Sequence, residues 1–134
     1  MLAVGALAVS ACGATSKGAT APRPPAPVNL TVYIDNSRVS VSPTAVGAGP
    51  VAFIITNQAS QAESLAVLRA GNATGRPLAN TGPINPRATA QVTVNLTSPG
   101  RYSLSTGGEG GSIRAASIHI GKPRSSSDNQ LLQP

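Results

Sequence analysis

The sequence predicts an all-β domain, built as a single antiparallel or mixed Greek-key β-sandwich of about seven short strands. Hydrophobic residues alternate with polar ones at period two through the middle of the chain. The candidate core consists of Val, Ile, Leu and Ala, since aromatic residues make up only 2% of the sequence, and β-branched residues favour strands. In addition, 14 Gly and 12 Pro residues interrupt helices and mark turns.

The first half of the domain contains four predicted strands. Residues 28–34 alternate Val, Leu, Val and Ile with Asn, Thr and Tyr, which is typical of a half-buried strand. The alternation returns at residues 39–41 after an Asp-Asn-Ser turn. Residues 43–50 contain two glycines between two prolines and predict a turn. Strands at residues 51–55 and 65–68 follow.

The second half contains three more predicted strands. Residues 72–85 hold two glycines and two prolines and predict a loop. A clean alternation over residues 90–96 predicts a strand, and Ser-Pro-Gly at 98–100 predicts the next turn. Tyr102 and Leu104 belong to the strand after that turn. Residues 118–120 close the domain, with the only histidine of the chain, His119, predicted to face solvent.

The N-terminal segment predicts export and lipid attachment. Residues 2–11 form an apolar run that is shorter than the roughly 20 residues a helix needs to span a bilayer. The run ends in Val-Ser-Ala-Cys12, which resembles the bacterial lipobox, where an acylated cysteine becomes the mature N-terminus. The resemblance implies a signal peptide over residues 1–11 and a lipoprotein anchored by palmitate-type chains on Cys12. Met1 and Leu2 lack the usual positive charge, and a short core segment with an incidental thiol is the alternative.

Composition divides the remaining chain into three parts. Residues 12–27 carry the lipidated cysteine and a small, polar, proline-rich tether that cannot bury a core. Residues 28–120 form the β-sandwich. Residues 121–134 resemble the tether in composition and predict a disordered tail. The expected location is therefore the extracytoplasmic face of the cell membrane, with the membrane as the partner of the lipid.

Charge and cysteine content exclude several functions. The net charge is +6, but the basic residues are scattered singly and no aromatic residue is interleaved with them. Nucleic-acid sites need clustered Lys and Arg, so nucleic acid is not an expected partner. The single cysteine cannot form an internal disulfide or a metal cluster.

Three segments of the domain resemble the cupredoxins, the small copper-binding β-sandwich proteins. They are Ala-Gly-Pro-Val-Ala-Phe-Ile-Ile-Thr-Asn at 48–57, Ser-Pro-Gly-Arg-Tyr-Ser-Leu at 98–104, and Ala-Ala-Ser-Ile-His-Ile at 115–120. In that family, an asparagine closes the strand before the first histidine ligand. A Pro-Gly-x-Tyr turn leads into the strand that delivers the cysteine ligand, and an alternating strand follows the methionine ligand. The resemblance implies a cupredoxin-like fold from about residue 28 to 120.

The copper ligands themselves are missing from this pattern. The resemblance places the first histidine near Glu63, the cysteine at Thr106, the second histidine at Glu109 and the methionine at Arg114. A type 1 copper site needs two imidazoles, a thiolate and usually a weak thioether, and none of these four residues supplies one. The only Met and the only Cys lie in the first twelve residues. We therefore expect no copper and no other cofactor.

Glu63, Glu109 and Arg114 have three open interpretations. They are solvated loop charges, or an internal Glu–Arg pair that replaces the metal, or oxygen ligands of a hard cation such as calcium. The function then has two open classes. The first is a tethered, non-enzymatic module that binds an unknown envelope protein or polymer through loops at one end of the sandwich. The second is a carrier or sensor of copper or another cation with an altered site. A hydrolase lacks support, because no nucleophile with an acid–base pair is visible.

Overall fold

The computed structural model describes residues 23–71, 75–107 and 112–125, and these residues form eight β-strands and no helix. The strands are β1 (Val28–Ile34), β2 (Val39–Ser42), β3 (Ala45–Asn57), β4 (Glu63–Arg69), β5 (Ala79–Ile84), β6 (Thr89–Leu96), β7 (Gly100–Thr106) and β8 (Ala116–Pro123). No helix in these ranges is long and apolar enough to cross a membrane.

The strands form two sheets that share β3, so the predicted all-β, mixed sandwich is confirmed. The first sheet has the order β2–β1–β3–β6, in which β1 and β3 run parallel and the other neighbours run antiparallel. The second sheet has the order β3–β8–β7–β4–β5, in which β3 and β8 run parallel. The strand count is eight rather than about seven.

The core lies between the two sheets and is mostly aliphatic. Period-two alternation sends one face of each strand inward, where burial stabilises each large side chain by about 1.5–3 kcal/mol. Phe53 is the only fully buried aromatic ring and pairs in register with Leu30. The largest fully buried side chains are Phe53, Leu30, Ile34, Ile55, Leu65, Leu96, Leu104, Ile118, Ile120, Val32, Val51 and Val67.

Strand β3 changes direction at Gly49. Strand β8 starts beside the β1–β2 turn and runs away from it, and residues 45–48 run parallel to β8, so they also run away from that turn. Residues 51–57 run parallel to β1, which ends at the same turn, so they run back toward it. Gly49 has φ +139°, and a Cβ there would lie 2.8 Å from a guanidinium nitrogen of Arg124, so this corner requires glycine.

Two predicted connections are corrected. Residues 43–50 were expected to form a turn, but residues 45–50 belong to β3, because pairing with β8 holds the first part of this segment as a strand. Residues 72–85 were expected to form a loop, but Ala79–Ile84 is β5, an edge strand paired with β4. Strand β8 also continues to Pro123, three residues beyond the predicted end of the sandwich at 120. Cys12, residues 1–22 and residues 126–134 lie outside the described residues.

The two ends of the sandwich differ in what they carry. We define the Asn57 end as the β1–β2 turn (35–38), the β3–β4 loop (58–62), the β5–β6 turn (85–88) and the described parts of the β7–β8 connection (107 and 112–115), together with the strand residues that adjoin them. The opposite end, which we call the Gly49 end, holds the β3 corner, the described parts of the β4–β5 connection, the β6–β7 connection and the end of β8.

Candidate functional site

Asn57 organises the Asn57 end of the sandwich. It is the only buried polar residue in the described ranges, with no exposed surface. Its side-chain nitrogen donates to the Gln61 and Ile84 carbonyls, both at 2.8 Å, and its side-chain oxygen accepts from the Ala59 N–H at 2.9 Å. Both polar atoms of the buried amide therefore have hydrogen-bond partners, as is usual for buried polar groups. It ties the β3–β4 loop to the last residue of β5.

The β1–β2 turn is tied to the β3–β4 loop by a second set of hydrogen bonds. The Asn36 side-chain oxygen accepts from the Ser60 N–H at 2.9 Å and from the Ser60 hydroxyl at 3.0 Å. Within the turn, Asp35 Oδ1 accepts from the Ser37 hydroxyl and N–H, both at 2.7 Å, and from the Arg38 N–H at 2.8 Å. These hydrogen bonds lower the pKa of Asp35, with the Ser37 hydroxyl as the largest cause.

The β7–β8 connection joins the same end through backbone hydrogen bonds. The Arg114 N–H donates to the Ser37 carbonyl at 2.9 Å, and the Val39 N–H donates to the Arg114 carbonyl at 2.8 Å. Arg114 thereby forms an isolated parallel bridge with Arg38. At the other side of the connection, the Gly107 N–H donates to the Ser64 carbonyl at 3.3 Å. Protein hydrogen bonds therefore hold the described parts of all four connections together.

The structure brings three of the four predicted site residues to this end. Glu63 is the first residue of β4, half-buried, and pairs in register with Ile84. Thr106 is the last residue of β7, also half-buried, and its register partner is on β4. Arg114 is exposed, and its backbone forms hydrogen bonds with Ser37 and Val39. Glu109 lies outside the described residues.

The residues at these positions do not fit a type 1 copper ion. They offer a carboxylate, a hydroxyl and a guanidinium, whereas that metal needs imidazole and thiolate ligands. In the described ranges, no group of three or more His, Cys, Asp or Glu could hold a metal. His119 is exposed on β8 opposite Arg101, so its predicted orientation is confirmed, and it lies outside the Asn57 end.

Sequence reasoning missed the central role of Asn57 in this site. The residue was noted only as the end of a strand, although an amide directly after a buried apolar strand is a signal for a polar group at a core boundary. It also missed the Asn36–Ser60 contact, because the two residues are separated by 24 positions and no local pattern links them. Asparagine and serine are common turn residues in any loop.

The two-sheet sandwich and its mixed strand pairing define a cupredoxin-like fold. Its structure resembles auracyanin from Roseiflexus castenholzii, with a TM-score of 0.53 and 11% identity over 70% of this chain and 95% of that one. It also resembles an azurin from Methylomonas sp. strain J, with a TM-score of 0.55 and 10% identity over 72% of this chain and 100% of that one. A third similar structure is auracyanin A from Chloroflexus aurantiacus, a "blue" copper protein. Its TM-score is 0.54 and its sequence identity is 14%, over 69% of this chain and 99% of that one.

These likenesses describe the fold alone, because the sequence identities are low. No protein-family model and no curated protein sequence matches the chain. The copper named for auracyanin A belongs to that protein, and fold by itself does not fix function.

Proposed function

We propose that this protein is a membrane-anchored, extracytoplasmic binding module that uses a copper-free cupredoxin-like scaffold and catalyses no reaction. One observation carries the proposal. The positions where the fold would place copper ligands carry Glu63, Thr106 and Arg114 instead, and hydrogen bonds centred on Asn57 hold the adjoining connections in place. A rigid end without metal chemistry suits recognition better than electron transfer.

The Asn57 end is the surface we assign to recognition. Loops positioned by a rigid sandwich are the usual location of binding residues in such folds. Three exposed arginines lie there: Arg38 in the β1–β2 turn, Arg87 in the β5–β6 turn and Arg114 before β8. The partner on this surface is an envelope protein or polymer, and the scattered charge argues against nucleic acid.

The membrane anchor in this proposal is a lipid on Cys12. Acyl chains contribute about 0.8 kcal/mol per buried methylene, so two or three chains hold a protein firmly on a bilayer. We expect the full chain to fractionate with membranes and to gain the mass of its acyl groups at Cys12. The variant Cys12→Ser should lack that added mass. A membrane-associated protein whose Cys12 carries no acyl mass would contradict the lipid anchor.

A metal-handling role is the second candidate, and the placement of Glu63 favours it. A half-buried carboxylate at the position of a histidine ligand is an oxygen donor for a hard cation. A single carboxylate forms a weak site, however, and the nearby Asp35 oxygen is already occupied by three hydrogen bonds.

Metal titration separates the two candidates. The full chain with Cys12→Ser is titrated with copper, zinc and calcium by calorimetry, and the melting temperature is followed, since a metal that binds only the native state raises it. The binding-module proposal predicts no saturable uptake. Stoichiometric binding that Glu63→Gln abolishes, and that the control Asp35→Asn leaves intact, would establish the metal-handling role instead.

A further inference from the structure

Charged residues are distributed unevenly between the two ends of the sandwich. Six of the nine described basic residues lie at the Gly49 end: Arg23, Arg69, Arg76, Arg101, Lys122 and Arg124. Both described acidic residues, Asp35 and Glu63, lie at the Asn57 end. The other two acidic residues of the chain, Glu109 and Asp128, lie outside the described residues. Within the described ranges, the Gly49 end is therefore basic without a carboxylate.

The basic side chains of the Gly49 end come from separate elements that the fold brings together. Arg69 ends β4 and Arg76 lies in the following connection. Arg101 is the second residue of β7, and Lys122 lies near the end of β8. All four are exposed, so their charges are available to a partner.

The N-terminal segment enters the sandwich at this same end. The Arg124 guanidinium donates to the Ala26 carbonyl at 2.7 Å, to the Gly47 carbonyl at 3.2 Å and to the Pro50 carbonyl. The Arg124 N–H also donates to the Ala48 carbonyl at 3.0 Å. Arg124 therefore fastens the chain that leads from Cys12 to the corner of β3.

The Gly49 end holds a largely apolar groove of about 310 Å³ beside Arg124. Its other lining residues are Pro24, Pro25, Ala48, Gly49, Pro50, Asn95, Thr97 and Pro123. An end that combines a largely apolar groove with exposed basic residues is complementary to a bilayer surface, which presents anionic headgroups above an apolar layer.

We propose that the Gly49 end is a docking face for the anionic lipid surface of the membrane that carries the anchor. The proposal rests on the proposed function for its lipid on Cys12, because that lipid brings this end to the bilayer. Arg23 lies eleven positions after Cys12, and a chain of that length spans at most about 40 Å. A short attachment keeps the exposed arginines near the headgroups, where screening is incomplete.

The docking face also determines the orientation of the domain. With the Gly49 end on the bilayer, the Asn57 end points away from it. Arg38, Arg87 and Arg114 are then presented to the envelope side, where a soluble partner can reach them. The two ends therefore have separate roles, one toward lipid and one toward the partner.

Vesicle cosedimentation tests the docking face without the lipid anchor. The full chain with Cys12→Ser is mixed with vesicles of equal phosphatidylglycerol and phosphatidylcholine, and with vesicles of phosphatidylcholine alone. We expect binding only to the anionic vesicles, with loss at high salt. Since each basic residue near an anionic surface contributes about fivefold, Arg76→Gln, Arg101→Gln and Lys122→Gln together should weaken binding by about 100-fold.

A matched triple variant controls for net charge. Arg38→Gln, Arg87→Gln and Arg114→Gln remove the same charge from the Asn57 end and should leave vesicle binding within a few-fold of the parent. Equal weakening by both triples, or no binding by the parent, would overturn the docking face, provided that thermal unfolding shows all proteins folded. Binding to soluble polyphosphate but not to vesicles would assign the basic face to an anionic polymer and would also overturn it. If the native chain is acylated at Cys12 and the Cys12→Ser chain does not bind these vesicles, the lipid anchor stands and only the docking face is wrong.

Discussion

The side-chain amide of Asn57 donates a 2.8 Å hydrogen bond to the backbone carbonyl of Ile84, across 27 residues of sequence. Both residues are buried, so neither group can exchange this bond for one to water. The bond joins the end of β3 in the first sheet to the end of β5 in the second. The buried amide thereby holds the connections of the Asn57 end together.

Removing the Asn57 amide should destabilise the protein more than removing any exposed turn contact. In Asn57→Ala, the Gln61 and Ile84 carbonyls and the Ala59 N–H lose their partner, at a cost of about 2–4 kcal/mol in the free energy of unfolding. Urea denaturation of the variant and the parent measures this difference in the free energy of unfolding. The control Asn36→Ala removes an exposed contact with Ser60 and should cost less than about 1 kcal/mol. Equal losses in the two variants would contradict the central position of Asn57.

The Arg124 contacts should stabilise the Gly49 end. Arg124→Met keeps a long apolar stem but loses the bonds to Ala26, Gly47 and Pro50, and we expect a loss of about 1–3 kcal/mol. Lys122→Met is the matched control, because Lys122 is exposed at the same end of β8. Hydrogen exchange should show faster opening of the Ala48 and Gly49 amides only in the Arg124 variant. Indistinguishable exchange in the two variants would show that Arg124 does not fasten this corner.

The Tyr102 hydroxyl should stabilise the turn that precedes β7. It donates to the Ser98 carbonyl at 2.6 Å, an arrangement like the tyrosine corner of other β-sandwiches. Tyr102→Phe keeps the ring beneath the Arg69 guanidinium, 5.7 Å from its centroid, and loses about 1 kcal/mol or slightly more. Tyr33→Phe, at an exposed ring, should remain within about 0.5 kcal/mol of the parent in thermal unfolding. The interpretation fails if both changes have the same effect.

Asp35 should make stability depend on pH in the acid range. Its hydrogen bonds from Ser37 and Arg38 lower its pKa in the folded chain below the ordinary value of 3.8. A carboxyl of this kind stabilises the folded state above its unfolded pKa, and that contribution is lost as the pH falls through the folded pKa. We expect Asp35→Asn to have a lower melting temperature than the parent near neutral pH. The two melting temperatures should converge as the pH falls below about 3.8. A difference that stays constant across this range would exclude the ionised carboxyl as its cause.

Strands with a clear alternation were predictable from the sequence. Residues 28–34 became β1 and residues 90–96 became most of β6, because one face of each carries only aliphatic residues. Strand β5 was missed since its sequence, Ala-Asn-Thr-Gly-Pro-Ile, contains three turn residues and has a single deeply buried side chain, Ile84. Pairing with β4, a long-range effect, decides its conformation.

The candidate site was predictable only in part. Glu63, Thr106 and Arg114 do lie at one end of the sandwich, and the family resemblance rather than local pattern indicated this. Asn57 was identified without its role, because burial of an amide depends on the strands around it. Arg124 fell in a segment whose composition is typical of a tail, and its contacts with residues 47 and 50 come from the chain's return to that corner.

The metal content of the protein isolated from its own cells tests the central claim most directly. Cells grown with added copper supply the full chain, and elemental analysis gives the copper bound to each protein molecule. A scaffold that carries Glu63, Thr106 and Arg114 at the positions of metal ligands should contain copper far below one ion per chain, and should show no blue absorption. Copper at one ion per chain, retained through purification and lost in Glu63→Gln, would contradict the account.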